Sequence, residues 1–258
     1  MIDARTLDQE TARALLDWQV ELGVTEAVGD APVDRYALAE AAPVRAMAAP
    51  AAPAVTAADP VAVAEGLAGA AVTLEELAEA QAAYDLCDLK KGARNFVFAD
   101  GNPQARVMVI GEAPGRDEDL EGKPFVGRAG QLLDRMLSAI GLARTAQHRD
   151  EAVYITNVLP WRPPGNRDPE PGEIAMMLPF LRRHVELAAP DLLVLMGNTP
   201  CAAVLGTRGI LRLRGNWTSG FGLQVLPMTH PAYLLRNPAA KREAWADLLS
   251  LKARLRDG

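Results

Sequence analysis

Four side chains in this sequence are suited to chemistry on a planar heterocycle: Glu112, Phe125, Asn157 and His230. A carboxylate supplies acid/base or water-positioning capacity. An asparagine amide offers donor and acceptor together, which matches an imide edge. Phenylalanine stacks on a ring, and histidine donates a hydrogen bond to a carbonyl that gains negative charge as a bond breaks. Three of the four end apolar runs, in Val109-Ile110-Gly111-Glu112, Tyr154-Ile155-Thr156-Asn157 and Met228-Thr229-His230. If those runs are parallel strands, the three residues converge on one sheet edge, where open α/β sheets hold ligands.

The turn after the first run adds further binding candidates. Gly111 and Gly115 let backbone N–H groups approach a ligand closely, with Ala113 and Glu118 in the same turn. The segment is neither a P-loop nor a dinucleotide fingerprint, since Gly-Lys-Ser/Thr and G-x-G-x-x-G are both missing. Arg162 and Arg167 flank the rigid turn Pro163-Pro164-Gly165-Asn166. They fit either phosphate contact or a turn salt-bridged to Asp168. Tyr233, Leu234, Leu235 and Arg236 follow His230. They fit either an apolar wedge between bases with an arginine on a phosphate, or plain core.

The elements that must position these residues follow from periodicity. Strands are predicted at 106–111, 152–158, 191–197 and 223–228, with helices at 127–140, 172–188, 198–205 and 241–255. Thr73-Leu74-Glu75-Glu76 is a capping box opening a helix that reaches about Leu86. Pro179 is expected to kink or split the 172–188 helix. Apolar strands separated by helices predict a three-layer α/β/α fold around a mostly parallel, four-stranded sheet.

Upstream, residues 1–36 read as an acidic segment whose 6–22 stretch forms an amphipathic helix through Leu7, Thr11, Leu15, Trp18 and Leu22. Residues 37–72, rich in Ala and Pro, read as a linker unable to bury a core. The remaining 73–258 are expected to form the domain that carries the candidate site, and the 6–22 helix is a candidate protein-partner element.

The net charge of −6 averages two unlike parts: residues 1–100 hold 7 Lys/Arg against 17 Asp/Glu, whereas 101–258 hold 20 against 16. Only the second part suits a phosphate backbone. Two cysteines, Cys87 and Cys201, make no disulfide framework, and no stretch reads as a membrane span or signal peptide. The expectation is a cytoplasmic, membrane-free monomer. At this level an enzyme, a nucleic-acid-binding protein without turnover, and a nucleoside-processing hydrolase all remain open.

Five blocks, in order, resemble the uracil-DNA glycosylase superfamily, and specifically its family 4, over roughly residues 73–255. They are Gly111-Glu112-Ala113-Pro114-Gly115 with Glu118-Asp119, Pro124-Phe125-Val126-Gly127-Arg128-Ala129-Gly130-Gln131, Tyr154-Ile155-Thr156-Asn157, Arg162-Pro163-Pro164-Gly165-Asn166-Arg167, and His230-Pro231-Ala232-Tyr233-Leu234-Leu235-Arg236. The resemblance implies hydrolysis of the N-glycosidic bond of uracil in single- or double-stranded DNA. Phe125 would stack on a flipped-out base, Asn157 read its edge, His230 stabilise the charge developing on it, and the 111–118 loop frame the water. Tyr233 to Arg236 would be the DNA wedge. The alternative within this resemblance is a catalytically weak uracil- or lesion-binding protein serving a repair or polymerase complex.

Family 4 normally carries an iron–sulfur cluster on four cysteines. Here the equivalent positions read Tyr84, Cys87, Trp161 and Met177, and Cys201 matches none of them. A cluster needs about four thiolates, so the expectation is a protein without cofactor or metal, with Tyr84, Trp161 and Met177 packed as an apolar plug. Ala113 replaces a glycine usual in family 4. Residues 162–171 lack the histidine of a related class that attaches covalently to abasic DNA, so ordinary turnover is expected.

Overall fold

Six strands build one sheet in a computed structural model that describes residues 59–257 together with Asp8, Thr11 and Arg13. They are β1 (Ala99–Gly101), β2 (Val107–Gly111), β3 (Val153–Asn157), β4 (Leu192–Met196), β5 (Thr218–Gly220) and β6 (Leu223–Met228), in the order β1-β3-β2-β4-β6-β5. The four inner strands run parallel, as the periodicity predicts. The four-strand expectation falls short by β1 and β5, which pair antiparallel with β3 and β6 at the two edges. Each has only three residues and no buried one, so neither produces an apolar run.

The strands β2, β3 and β4 are buried at every position, the signature of a parallel sheet covered on both faces. In β2, Met108 and Ile110 enter one core while Val107 and Val109 enter the other. The first core takes side chains from α1 (Pro60–Ala70), α2 (Leu74–Ala83) and α6 (Pro171–Ala188). A short helix α3 (Leu89–Gly92) follows α2. The second core takes α5 (Arg128–Ser138) and the C-terminal helix α10 (Lys241–Asp257). Pro179 lies inside α6, which continues across it as one helix.

From β2 the chain goes to β3 on one side, then crosses back to β4 on the other. The carboxyl ends of β2 and β4 therefore border the topological switch point, where such sheets bind ligands. The register aligns Gly111 with Asn157 and Met196 with Met228, so the ends of all four parallel strands open onto the same edge.

Helix α1 corrects the linker reading of residues 37–72. The second of two compact units begins at Ala57, not at residue 73. Asp59 accepts from the Val61 N–H at 3.0 Å and caps the helix, with Pro60 in its first turn. Ala64, Ala68 and Ala71 are buried. The alanines that suggested a coreless tether instead form a small-residue face that packs closely. Tyr84 Oη donates to the Pro60 carbonyl at 2.7 Å, and Arg183 donates twice to the Ala71 carbonyl. Extending an N-terminal truncation from residue 58 to residue 72 is expected to lower Tm by about 5 °C or more, measured by calorimetry. Apart from Asp8, Thr11 and Arg13, the 6–22 helix and the rest of the linker lie outside the described residues.

Candidate active site

Gly111 ends β2, and its missing Cβ makes the site possible. A Cβ there would stand 2.4 Å from Asn157 Oδ1 and 2.5 Å from the Phe125 ring. Both side chains lie against the bare backbone, so the strand end, the amide and the aromatic share one wall. Asn157 is buried at the end of β3. No protein group among the described residues hydrogen-bonds its carboxamide, which faces a cleft of about 680 Å³.

Phe125 has φ +54, a left-handed conformation that an L-residue adopts only when its surroundings impose it. Four groups do so. Arg144 donates to the Pro124 and Phe125 carbonyls, each at 2.9 Å, while ion-paired to Asp100 and Asp134. Glu118 Oε1 accepts from the Val126 and Gly127 N–H groups at 3.0 and 2.9 Å. Its Oε2 accepts from Gly115 at 3.1 Å. Gly130 leaves room for the Phe125 carbonyl, which a Cβ would meet at 1.8 Å. Glu118, expected at the substrate and lying in the first turn of α4 (Arg116–Glu121), therefore also ties the β2 turn to the phenylalanine turn that precedes α5.

Glu112 crosses the switch point, where Thr199 Oγ1 donates to its Oε2 at 2.5 Å. Thr199 is buried in the first turn of α7 (Asn198–Leu205), directly after β4. Neither Thr199 nor Arg144 was legible as a site residue. A lone threonine at a helix start and a lone arginine in the α5–β3 connection carry no spacing signal toward the residues they hold. Ala113 and Gly115 line the cleft with Glu112.

His230 caps α9 (Pro231–Arg236), its Nδ1 accepting from the Ala232 N–H at 3.2 Å. An accepting Nδ1 leaves the proton of a neutral ring on Nε2. The imidazole stacks on Phe125 with centroids 5.4 Å apart and planes at 28°. Burial pushes its pKa down to about 4, and Arg236 pushes the same way. Because the folded value lies below the ordinary one, the neutral form is favoured above both, and its stabilising contribution is lost as pH falls through 4. If neutral His230 is the active form, its share of the acid loss of activity falls near pH 4, not near 6.5. NMR titration of the His230 ring beside single-turnover rates checks this.

The DNA-facing candidates divide. Tyr233 and Arg236 line the cleft. Leu234, expected in the wedge, is core instead, 1% exposed and packed with Leu132 and Ala244. On a short helix, the turn that carries 233 and 236 toward the cleft carries 234 inward. Arg167 lines the cleft, but its guanidinium is bound by Glu173 through two hydrogen bonds of 3.0 and 2.5 Å. That ion pair, not one with the Asp168 carboxylate, holds the loop before α6. Arg162 Nε donates to Asn166 Oδ1 at 2.7 Å, and Asn166 lines the cleft.

Tyr84, Cys87, Trp161 and Met177 all lie in the core, none more than 2% exposed. Tyr84 packs edge-on against Phe180, Trp161 tilts against Phe96, and Gln81 Nε2 donates to Met177 Sδ at 3.6 Å. Burial pushes the Cys87 thiol pKa up, away from the thiolate a metal requires. Among the described residues no group of three or more His, Cys, Asp or Glu could hold a metal ion. This donor set does not fit an iron–sulfur cluster.

Comparison with known proteins agrees with this geometry. A family model described as the uracil DNA glycosylase superfamily matches residues 98–249. A Type-4 uracil-DNA glycosylase of Archaeoglobus fulgidus is 39% identical over 186 residues, covering 68% of this chain and 89% of that protein. The Saccharolobus solfataricus protein of the same name is 37% identical, covering 70% and 86%, and that of Thermotoga maritima 39%, covering 64% and 84%. The matched span includes every residue that lines the cleft at the switch point, and this chain belongs to the uracil DNA glycosylase superfamily.

Proposed function

We propose that this chain hydrolyses the N-glycosidic bond of uracil in DNA, leaving an abasic site, and does so without a metal cluster. The observation that carries the reading is the pairing of the Asn157 carboxamide with the protonated Nε2 of a neutral His230, both without a protein partner among the described residues, beside one aromatic ring. A uracil flipped from the duplex would stack on Phe125 and present its imide edge to Asn157. As the bond from the sugar C1′ to N1 breaks, negative charge spreads onto the base carbonyls. The Nε2–H of His230 donates to one of them, in a site whose burial keeps the ring neutral. Water attacks C1′. The Glu112 carboxylate, oriented by Thr199, positions it and takes its proton.

The enclosing contacts suit a DNA strand: Tyr233 and Arg236 of α9 on the flanking nucleotides, with Arg162 supporting the Asn166 turn. No described helix is long and apolar enough to cross a membrane. Oligonucleotides carrying uracil, hypoxanthine, xanthine or thymine at one position, single-stranded and duplex, test the base range. Alkali-labile cleavage at uracil and none at thymine is expected. Cleavage at thymine but not uracil would overturn the base assignment, and purified protein with stoichiometric iron would overturn the cluster-free reading.

A further inference from the structure

The cleft is far larger than a single planar base, so its outer part must receive something else. Its wall includes a segment that no motif in the sequence marks: Arg208 and the short helix α8 (Ile210–Leu213). Leu211 is 61% exposed, and of the large apolar side chains left exposed among the described residues it alone lines the cleft. Three arginines line the cleft. Arg167 is taken by Glu173, whereas Arg208 and Arg236 have no carboxylate partner among the described residues. The segment is also held in place. Asn198 Oδ1 accepts from the Gly209 and Ile210 N–H groups at 3.0 and 2.9 Å, with Gly209 at φ +111. One side chain thereby fixes the turn to the end of β4. A free guanidinium and an exposed leucine on a pre-set turn beside a base-sized recess fit a nucleic-acid strand: charge for a phosphate, apolar surface for a sugar or base face.

We propose that Arg208 and Leu211 form a second DNA contact, Arg208 on a phosphate of the strand that carries the uracil and Leu211 against the adjoining nucleotide. This rests on the uracil-DNA reading above. The test is fluorescence anisotropy of the full chain on a duplex bearing 2′-fluoro-2′-deoxyuridine, whose glycosidic bond resists hydrolysis, from about 50 to 200 mM salt. Losing one phosphate contact lowers the slope of log affinity against log salt by about 0.9. Arg208→Gln is expected to show that loss, with affinity several-fold weaker at low salt. Leu211→Ser is expected to weaken binding at every salt concentration without changing the slope. Arg149→Gln, at the opposite end of the sheet and paired with Asp191, serves as the control and keeps the wild-type slope. A wild-type slope in Arg208→Gln would overturn the phosphate contact, and wild-type affinity in Leu211→Ser the apolar one. Both results leave the glycosylase reading standing so long as the unmodified chain excises uracil. An unmodified chain with no salt-dependent affinity for this duplex would overturn both.

Discussion

Asn157→Ala and His230→Ala are each expected to slow uracil excision by roughly 10²–10³-fold while the protein stays folded. The two losses should differ in kind. His230 donates where charge appears only as the bond breaks, so its removal should lower the maximal single-turnover rate and leave DNA affinity nearly unchanged. Asn157 meets the base edge before and during the reaction, so its removal should weaken capture of the flipped base as well. Neither side chain is a large part of the core. Among the described residues no protein group hydrogen-bonds the Asn157 amide, and His230 contributes a cap on the Ala232 N–H and a stack on the Phe125 ring. Circular dichroism and Tm within a few degrees of wild type are therefore expected. Near-wild-type rates in both variants would remove these residues from the site.

Trp161→Ala is expected to destabilise the domain by about 3–5 kcal/mol, as for other fully buried aromatics. Its side chain sits in the core beside Phe96, at one of the four positions where the family resemblance implies cluster ligands. Those positions join α2 to the loop after β3. Where a cluster would tie them covalently, this chain uses apolar area, the Tyr84–Phe180 contact and the Tyr84 hydrogen bond to Pro60. Truncation of Trp161 leaves a cavity that its rigid neighbours cannot close. Urea titration should show an earlier midpoint with a similar slope. A midpoint equal to wild type would show that the indole supplies none of the tie.

Much of this arrangement is legible before any coordinates. The inner strands announce themselves as fully apolar runs because helices cover both faces, and polar residues at the ends of such runs must meet at one edge. Glu112, Asn157 and His230 do meet there, and Phe125 joins them across the missing Cβ of Gly111. What stays hidden depends on closure in three dimensions. The edge strands β1 and β5 are too short to carry a pattern. Helix α1 is written in alanine, whose propensity is high but whose small side chain resembles linker composition. Leu234 and Leu235 read equally as wedge or core, and only the docking of α9 on Leu132 and Ala244 decides for Leu234. Arg144 and Thr199 act on residues far away in the chain, through hydrogen bonds that no local spacing encodes.

The central claim is that this cleft cleaves the bond between uracil and deoxyribose. The most direct measurement is a single-turnover reaction of purified, metal-analysed protein with a duplex oligonucleotide holding one radiolabelled uracil, reading free base and abasic strand together. Free uracil and alkali-labile sites should appear in equal amounts at one rate, without bound iron, and His230→Ala should slow both alike. Tight binding of the uracil duplex with no release of base would contradict the account and make the chain a binder of uracil DNA.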